Sequence, residues 1–177
     1  DDARRQFEVN LFGLARLTQL VLPRMREKRA GTIVNVSSMG GKIYTPLGCW
    51  YHATKHALEG WSDCLRLELA PFGIDVIIVE PGVILTEFGD HLVEPMLKRS
   101  GHTAYGDLAR KVADATRASY EAGGGSPPAL IAKLIVKAIA SRRPRTRYVA
   151  GKFAKPLIAV RKWLGDRVYD KAVMSQY

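Results

Sequence analysis

Acidic side chains are missing from a long stretch of this sequence. Between Ala122 and Gly165 it carries ten lysines or arginines and no aspartate or glutamate. No zinc-finger spacing, helix-turn-helix pattern or interleaving of aromatic and basic residues accompanies that charge, so it does not read as a nucleic-acid-binding module. Cysteine is equally scarce. Cys49 and Cys64 stand fifteen positions apart with no CxxC pair, which excludes a disulfide framework and points to a reducing, cytoplasmic setting. No apolar run approaches the roughly 18 residues of a spanning helix, and no apolar h-region opens the chain, so neither a transmembrane segment nor a secretory signal is read from what is given. A starting methionine is also missing: Asp1-Asp2-Ala3-Arg4-Arg5 reads like the interior of a larger protein.

What is present bounds the fold class. A chain of 177 residues, 47% apolar and 25% charged, with 16 glycines and nine prolines, is long enough to bury one core without metal or disulfide support. Its composition is that of an ordered α/β protein. The net charge of +10 is uneven: residues 1–90 carry 10 basic and 11 acidic side chains, residues 91–177 carry 17 and 6. Such a basic half can steer anionic ligands, touch acidic lipid or hold nucleic acid weakly. The simpler reading is a solvated surface whose acidic counterpart lies elsewhere in the protein.

Apolar residues recur at helical steps through Phe7, Leu11, Leu14, Leu22 and Met25, predicting a long helix over 2–26 that Pro23 loosens near its end. A short strand follows over 32–36, leading into Ser37-Ser38. A Gly40-Gly41 turn and a loop carry the chain to a second helix over 49–70, which Pro71-Phe72-Gly73 closes. Residues 74–79 are nearly all apolar, as suits a strand buried on both faces of a parallel sheet. Residues 86–126 lack a clean period and read as an excursion with one or two loose helices. Ser126-Pro127-Pro128 opens a helix running to about Ala140, a third strand is expected over 146–150, and the segment 156–177 contains a basic amphipathic helix. There is no internal repeat and no linker long enough to divide the chain. Helix and strand in alternation with short joints are the βαβ pattern.

One constellation carries chemistry. Tyr51 and Lys55 are four apart on the second helix and share a face. An ammonium near a phenol stabilises the phenolate and brings its pKa from about 10 toward neutrality, where it can exchange protons with a substrate. Ser38 lies just past a strand end, where parallel sheets place ligand-binding loops. An ordinary helix-surface pair would satisfy the same spacing, and spacing by itself leaves both readings open.

Larger motifs add to this. The run Gly31-Thr-Ile-Val-Asn-Val-Ser-Ser38, then Tyr51-His-Ala-Thr-Lys55, then Glu80-Pro81-Gly82-Val-Ile-Leu-Thr86 closely resembles the classical short-chain dehydrogenase/reductase family, from Phe7 to Thr86 and more loosely to about Ala150. The resemblance implies a nicotinamide-dependent oxidoreductase, using NAD or NADP, in which Tyr51 is the general acid or base. Lys55 would lower its pKa and bind the nicotinamide ribose, and Ser38 would hold the substrate oxygen with Gly40 beside it. Asn10 would be the fourth catalytic residue, in a water-linked relay to Lys55. Pro81, Gly82, Val83 and Thr86 would line the nicotinamide. No metal site is expected, since His52 and His56 look like helix-surface residues flanking the catalytic pair.

Relatives begin with a strand, a glycine-rich turn and a helix that cradle a pyrophosphate. Gly40-Gly41 and Gly123-Gly124-Gly125 stand in the wrong contexts for that turn. The expectation is therefore the C-terminal two thirds of such an enzyme: a partial Rossmann-type, doubly wound parallel sheet in three α/β/α layers, missing its N-terminal strands and not competent alone. Residues 1–177 would form one incomplete domain, with 87–126 the substrate-binding excursion. There His91, Leu92, Val93, Met96 and Leu97 offer an apolar cover for a lipophilic secondary alcohol or carbonyl compound, as in the steroid and retinol dehydrogenases the sequence most resembles. Helices 2–26 and 49–70 resemble the pair through which such proteins form homo-oligomers, with Met25, Leu58, Trp61, Leu65 and Leu69 as candidates for burial. The basic C-terminus reads as a packed terminal helix rather than a peripheral membrane anchor. The alternative is a non-catalytic relative that keeps the fold to bind ligands or scaffold partners.

Overall fold

A computed structural model describes residues 1–121 and 123–177, apart from the Asp90 side chain. The chain opens with α1 (Asp2–Phe7), a π turn (Glu8–Phe12) and α2 (Gly13–Lys28) in one continuous rod. Pro23 does not end it; the helix stops at Arg29, in the left-handed region at φ 49°. Then come β1 (Gly31–Val36), a 3₁₀ turn (Met39–Gly41), α3 (Cys49–Leu69) and β2 (Ile74–Pro81). The excursion contains two regular helices, α4 (Phe88–Ser100) and α5 (Gly106–Tyr120). Next are α6 (Pro128–Ile139), β3 (Arg147–Ala150) and α7 (Ala154–Met174), the last broken at Gly165.

The described strands form a parallel sheet in the order β1-β2-β3. Gly31 pairs with Ile74 and Val36 with Val79; Ile78 pairs with Arg147 and Pro81 with Ala150. All three strands therefore end on the same side. β2 is central, and Ile77, Ile78 and Val79 are at most 1% exposed, each burial contributing about 1.5–3 kcal/mol relative to exposure. On one face Ile33, Ile74 and Val76 pack against Leu65 and Leu69 of α3, with Leu22, Met25 and Trp61 closing round them. On the other, Ile77 and Val79 meet Ile131, Leu134, Ile135 and Ala138 of α6. A third cluster joins Tyr169 and Val173 of α7 to Ile43 in the loop after β1.

This arrangement corrects two expectations. The three-layer α/β/α arrangement, expected only in part, is present from residue 2 onward, with the first described strand at Gly31–Val36. Leu58, Leu65 and Leu69 are buried in the chain's own core, and Met25 and Trp61 pack against it. The apolar side chains those helices expose are instead Val9, Phe12, Leu17 and Leu20, with Trp50 and Leu67 on α3.

Part of the basic half finds its acidic counterpart inside the fold. The Arg147 guanidinium of β3 reaches Glu59 Oε2 at 3.0 Å and Asp63 Oδ2 at 2.6 Å, both on α3. Its Nε faces Glu80 Oε1 of β2 at 3.1 Å, an ion pair without hydrogen-bond alignment, since that oxygen has no hydrogen-bond partner. Lys42 closes the cluster on Glu59 Oε2 at 2.8 Å. Burial and the neighbouring Glu59 carboxylate push Glu80 from its ordinary 4.5 up to about 7, against the pull of Lys42 and Arg147. A carboxyl raised in the folded state stabilises the fold fully below its unfolded pKa, and that contribution is lost as pH rises through about 7. Asp63, held down first by its hydrogen bond from Arg147, contributes in the opposite sense and is lost in acid. Glu80→Gln is therefore expected to match the unmodified protein in thermal unfolding near pH 5 and exceed it near pH 8, by on the order of 1 kcal/mol. Equal destabilisation at both pH values would contradict this.

Candidate active site

The candidate residues gather at the C-terminal ends of β1 and β2. Past Val36 the backbone stays in register for one more step, Ser37 N–H donating to Val79 O at 2.8 Å. Ser38 then caps the 3₁₀ turn, its Oγ accepting from Gly40 N–H at 3.0 Å. Close approach favours glycine at position 40: a Cβ there would lie 3.1 Å from Tyr51 Cε1 and from His52 Nδ1, tighter than ordinary contact. The Ser38 turn is thus pressed directly against the first turn of α3.

Tyr51 and Lys55 stand on that helix as the four-residue spacing predicts, with Lys55 Nζ 5.9 Å from the centre of the Tyr51 ring. Both are largely withdrawn from water. Burial pushes the Tyr51 phenol up, while the Ser38 hydroxyl beside it pulls it down. Burial pushes the Lys55 amine down, while the Glu59 carboxylate one turn further along opposes that. Lys55 Nζ donates to Val36 O at 3.1 Å, which fixes the amine over the strand end.

Asn10 lies in the π turn, a wide helical turn of a kind found often at functional sites. Its side-chain amide reaches α3, donating to Thr54 Oγ1 at 3.1 Å, and Thr54 Oγ1 in turn donates to Tyr51 O at 2.8 Å. Asn10 is therefore brought to the helix of Tyr51 and Lys55, but its side chain ends on Thr54 rather than on the lysine. Sequence periodicity gave no sign of the π turn.

Beyond Pro81 the chain turns off the sheet. Gly82 N–H donates to Ala150 O at 2.8 Å, and Val83 N–H to Lys152 O at 3.0 Å. A Cβ at Gly82 would sit 2.1 Å from Lys152 O, so only glycine allows this approach. Thr86 is exposed and its Oγ1 accepts from Phe88 N–H at 3.4 Å, at the start of α4. The turn delivers Phe88 to the Tyr51 ring, with centroids 5.7 Å apart. Tyr120, at the end of α5, lies on Gly89, where a Cβ would come within 2.6 Å of its ring, and its phenol is near enough to feel that of Tyr51. Of the residues expected to cover a substrate, Val93 is buried, Met96 and Leu97 are half-buried, and His91 and Leu92 are exposed. Phe88 on the Tyr51 ring and Tyr120 on Gly89 were not anticipated from sequence; an aromatic soon after the Thr86 motif was the available signal for the first.

His52 is not the surface residue expected: it is half-buried and holds the loop after β1. His56 is exposed, its Nδ1 2.9 Å from His52 O. Among the described residues, no three of His, Cys, Asp or Glu are grouped to hold a metal ion.

With this geometry in place, comparison with known proteins is specific. Residues 1–96 match the family model described as short chain dehydrogenase. The match begins at residue 1, ahead of Phe7, which corrects the start expected for the resemblance. A 3-ketodihydrosphingosine reductase of Bacteroides thetaiotaomicron is 32% identical over 178 residues, covering 100% of this chain and 65% of the relative. The crystal structure of a short-chain dehydrogenase from Streptomyces avermitilis superposes with a TM-score of 0.70 at 32% identity, over 99% of this chain and 63% of that one. A short chain dehydrogenase from Burkholderia cenocepacia in complex with NADP gives a TM-score of 0.60 at 25% identity, over 98% and 58%. The chain spans 66% and 65% of the length of two curated relatives it matches. The match over more than half its length places this chain in the short chain dehydrogenase family.

Proposed function

We propose that the protein transfers a hydride between NAD or NADP and a lipophilic secondary alcohol or carbonyl compound, with Tyr51 as the proton donor or acceptor. The observation that carries this reading is the half-buried Tyr51 phenol with the Ser38 hydroxyl beside it and the Lys55 amine 5.9 Å from its ring centre, at the strand ends. The residues present fit the nicotinamide end of such a cofactor. An ammonium has three N–H donors, and among the described residues Lys55 uses one, on Val36 O, leaving two for ribose hydroxyls. Pro81, Gly82, Val83 and Thr86 form a backbone-lined turn beside them, suited to holding a nicotinamide ring. When bound, the nicotinamide supplies or accepts the hydride.

The chain's own residues do the rest. Ser38 Oγ hydrogen-bonds the substrate oxygen and holds it at Tyr51 Oη. In reduction Tyr51 gives that oxygen its proton, and the Lys55 ammonium stabilises the phenolate left behind; oxidation runs the same transfer backwards. Asn10 anchors the π turn to α3 through Thr54, which supports a place for it in the relay that returns a proton to Lys55. The segment 87–126 covers the site with apolar groups, Phe88 and Tyr120 foremost, and excludes water. A lipophilic substrate accords with this lining and with the name of the 3-ketodihydrosphingosine reductase among the relatives. Two free, exposed cysteines accord with a cytoplasmic setting, and among the described residues no helix is long and apolar enough to cross a membrane.

Tyr51→Phe is expected to lower hydride-transfer turnover by about 10²–10⁴-fold while the dissociation constant for NAD(H) or NADP(H) changes less than about threefold, since the ring and Lys55 remain. Steady-state kinetics with a nucleotide titration checks both. Turnover within tenfold of the unmodified protein would remove Tyr51 from the proton-transfer role.

A homo-oligomer formed through the helices of residues 2–26 and 49–70 belongs to the same reading. Leu17 and Leu20 on α2 are 63% and 61% exposed, and Val9 and Phe12 lie near them, a patch that monomers seldom leave in water. Replacing Leu17 and Leu20 together by arginine is expected to halve the sedimenting mass or reduce it further, with the fold kept by circular dichroism. An unchanged mass would exclude this face. The basic C-terminus enters no nucleic-acid role here. α7 buries Tyr169 and Val173 against Ile43, which supports a packed terminal helix over a membrane anchor.

A further inference from the structure

His52 follows Tyr51 directly, and its imidazole points away from the reacting face into the loop between β1 and α3. Both ring nitrogens are engaged there. Thr45 N–H donates to Nε2 at 3.1 Å, and a backbone amide can only donate, so Nε2 is the acceptor nitrogen. The proton of the neutral ring then sits on Nδ1, which donates to Gly40 O at 3.0 Å. The Thr45 hydroxyl adds a third contact to Nε2 at 3.0 Å. Two glycines close on the ring from either side. A Cβ at Gly40 would lie 3.1 Å from Nδ1, and one at Gly48 would lie 2.8 Å from Cδ2 and 2.9 Å from Nε2.

The residue that His52 holds by its carbonyl is the one on whose N–H Ser38 depends. Ser38 Oγ accepts from Gly40 N–H, and Gly40 O is the acceptor for His52 Nδ1. One residue thus links the serine hydroxyl to the helix turn bearing the phenol. Gly41 N–H and Lys42 N–H close the 3₁₀ turn locally, onto Ser38 O and Met39 O, but neither ties it to α3. The loop it belongs to has a strained point, Leu47 at φ 63°, a conformation that side-chain-bearing residues adopt at a cost and that the surrounding contacts must hold.

We propose that His52 is a positioning residue which, as a neutral Nδ1–H imidazole, clasps the Gly40 and Thr45 peptides and so holds the Ser38 hydroxyl against the Tyr51 phenol. The clasp rests on the reading of Ser38 and Tyr51 as the reacting pair. It acts through Ser38, so removing either residue should have the same consequence for Tyr51, and removing both should add nothing. Simple loss of packing would not produce that pattern.

The test is a titration of Tyr51 in the natural protein labelled with ¹³Cζ-tyrosine, its resonance assigned by its disappearance in Tyr51→Phe. Ser38 holds the phenol's pKa down, so Ser38→Ala should raise the Tyr51 midpoint by roughly half to one pH unit. His52→Ala should raise it by the same amount, the double variant should go no further, and His52→Asn, which keeps a donor toward Gly40 O, should return most of the shift. If His52→Ala does not fold, His52→Leu fills the slot without polar atoms and is read in its place. A Tyr51 midpoint unmoved by loss of His52, or shifts that add in the double variant, would overturn the clasp. Retained turnover in Tyr51→Phe would instead sink the catalytic reading and leave this titration result standing, so the two failures are distinguishable.

Discussion

Withdrawing a phenol and an amine from water side by side is the constraint on which this site depends. Burial penalises the charged form of each, driving Tyr51 up and Lys55 down. Burial by itself therefore works against both the phenolate and the ammonium that would steady it. Two neighbours oppose that outcome. The Ser38 hydroxyl favours the phenolate, and the Glu59 carboxylate favours the ammonium. The site is poised because burial and its local compensation act on the same two atoms in opposite directions.

The rest of the fold serves that balance from behind. Glu59 is one turn beyond Lys55, and it also accepts from Lys42 and Arg147. The charged cluster across α3, β2 and β3 therefore fixes the carboxylate that sustains the lysine. Arg147 ties the C-terminal basic half into this arrangement, and its partners Glu59, Asp63 and Glu80 all come from the acidic first half. In front, Gly82 lets the end of β2 approach Lys152 closely enough to turn, and that turn sends Phe88 onto the Tyr51 ring.

Local pattern carried much of this. The YxxxK spacing placed two side chains on one helix face, and the apolar run over 74–79 announced a strand buried on both sides, because each depends on periodicity within one element. Features that depend on contacts between distant segments were not legible. His52 looked like a surface residue because helical spacing turned it off the catalytic face, yet the loop from Gly40 to Gly48 folds back to meet it. Glu80 reads in sequence as part of a motif at the strand end, whereas burial beside Glu59, Lys42 and Arg147, the last 67 positions away, sets its environment. The π turn at Asn10 leaves the apolar repeat nearly intact, so periodicity passes over it. The excursion over 87–126 lacked a clear period because its two helices pack partly on each other, yet both are regular. The start of the family resemblance also departs from expectation: the layered arrangement and the family match both run from the first residues rather than from Phe7.

The pH profile of alcohol oxidation in Lys55→Met, set against that of the unmodified protein, tests the phenol and amine pairing most directly. With the ammonium gone, the phenolate loses its stabilising charge, and the limb on which kcat/KM rises with pH should move to higher pH by one unit or more. A limb left at its original position, with only its height reduced, would mean that Lys55 does not govern the ionisation of Tyr51.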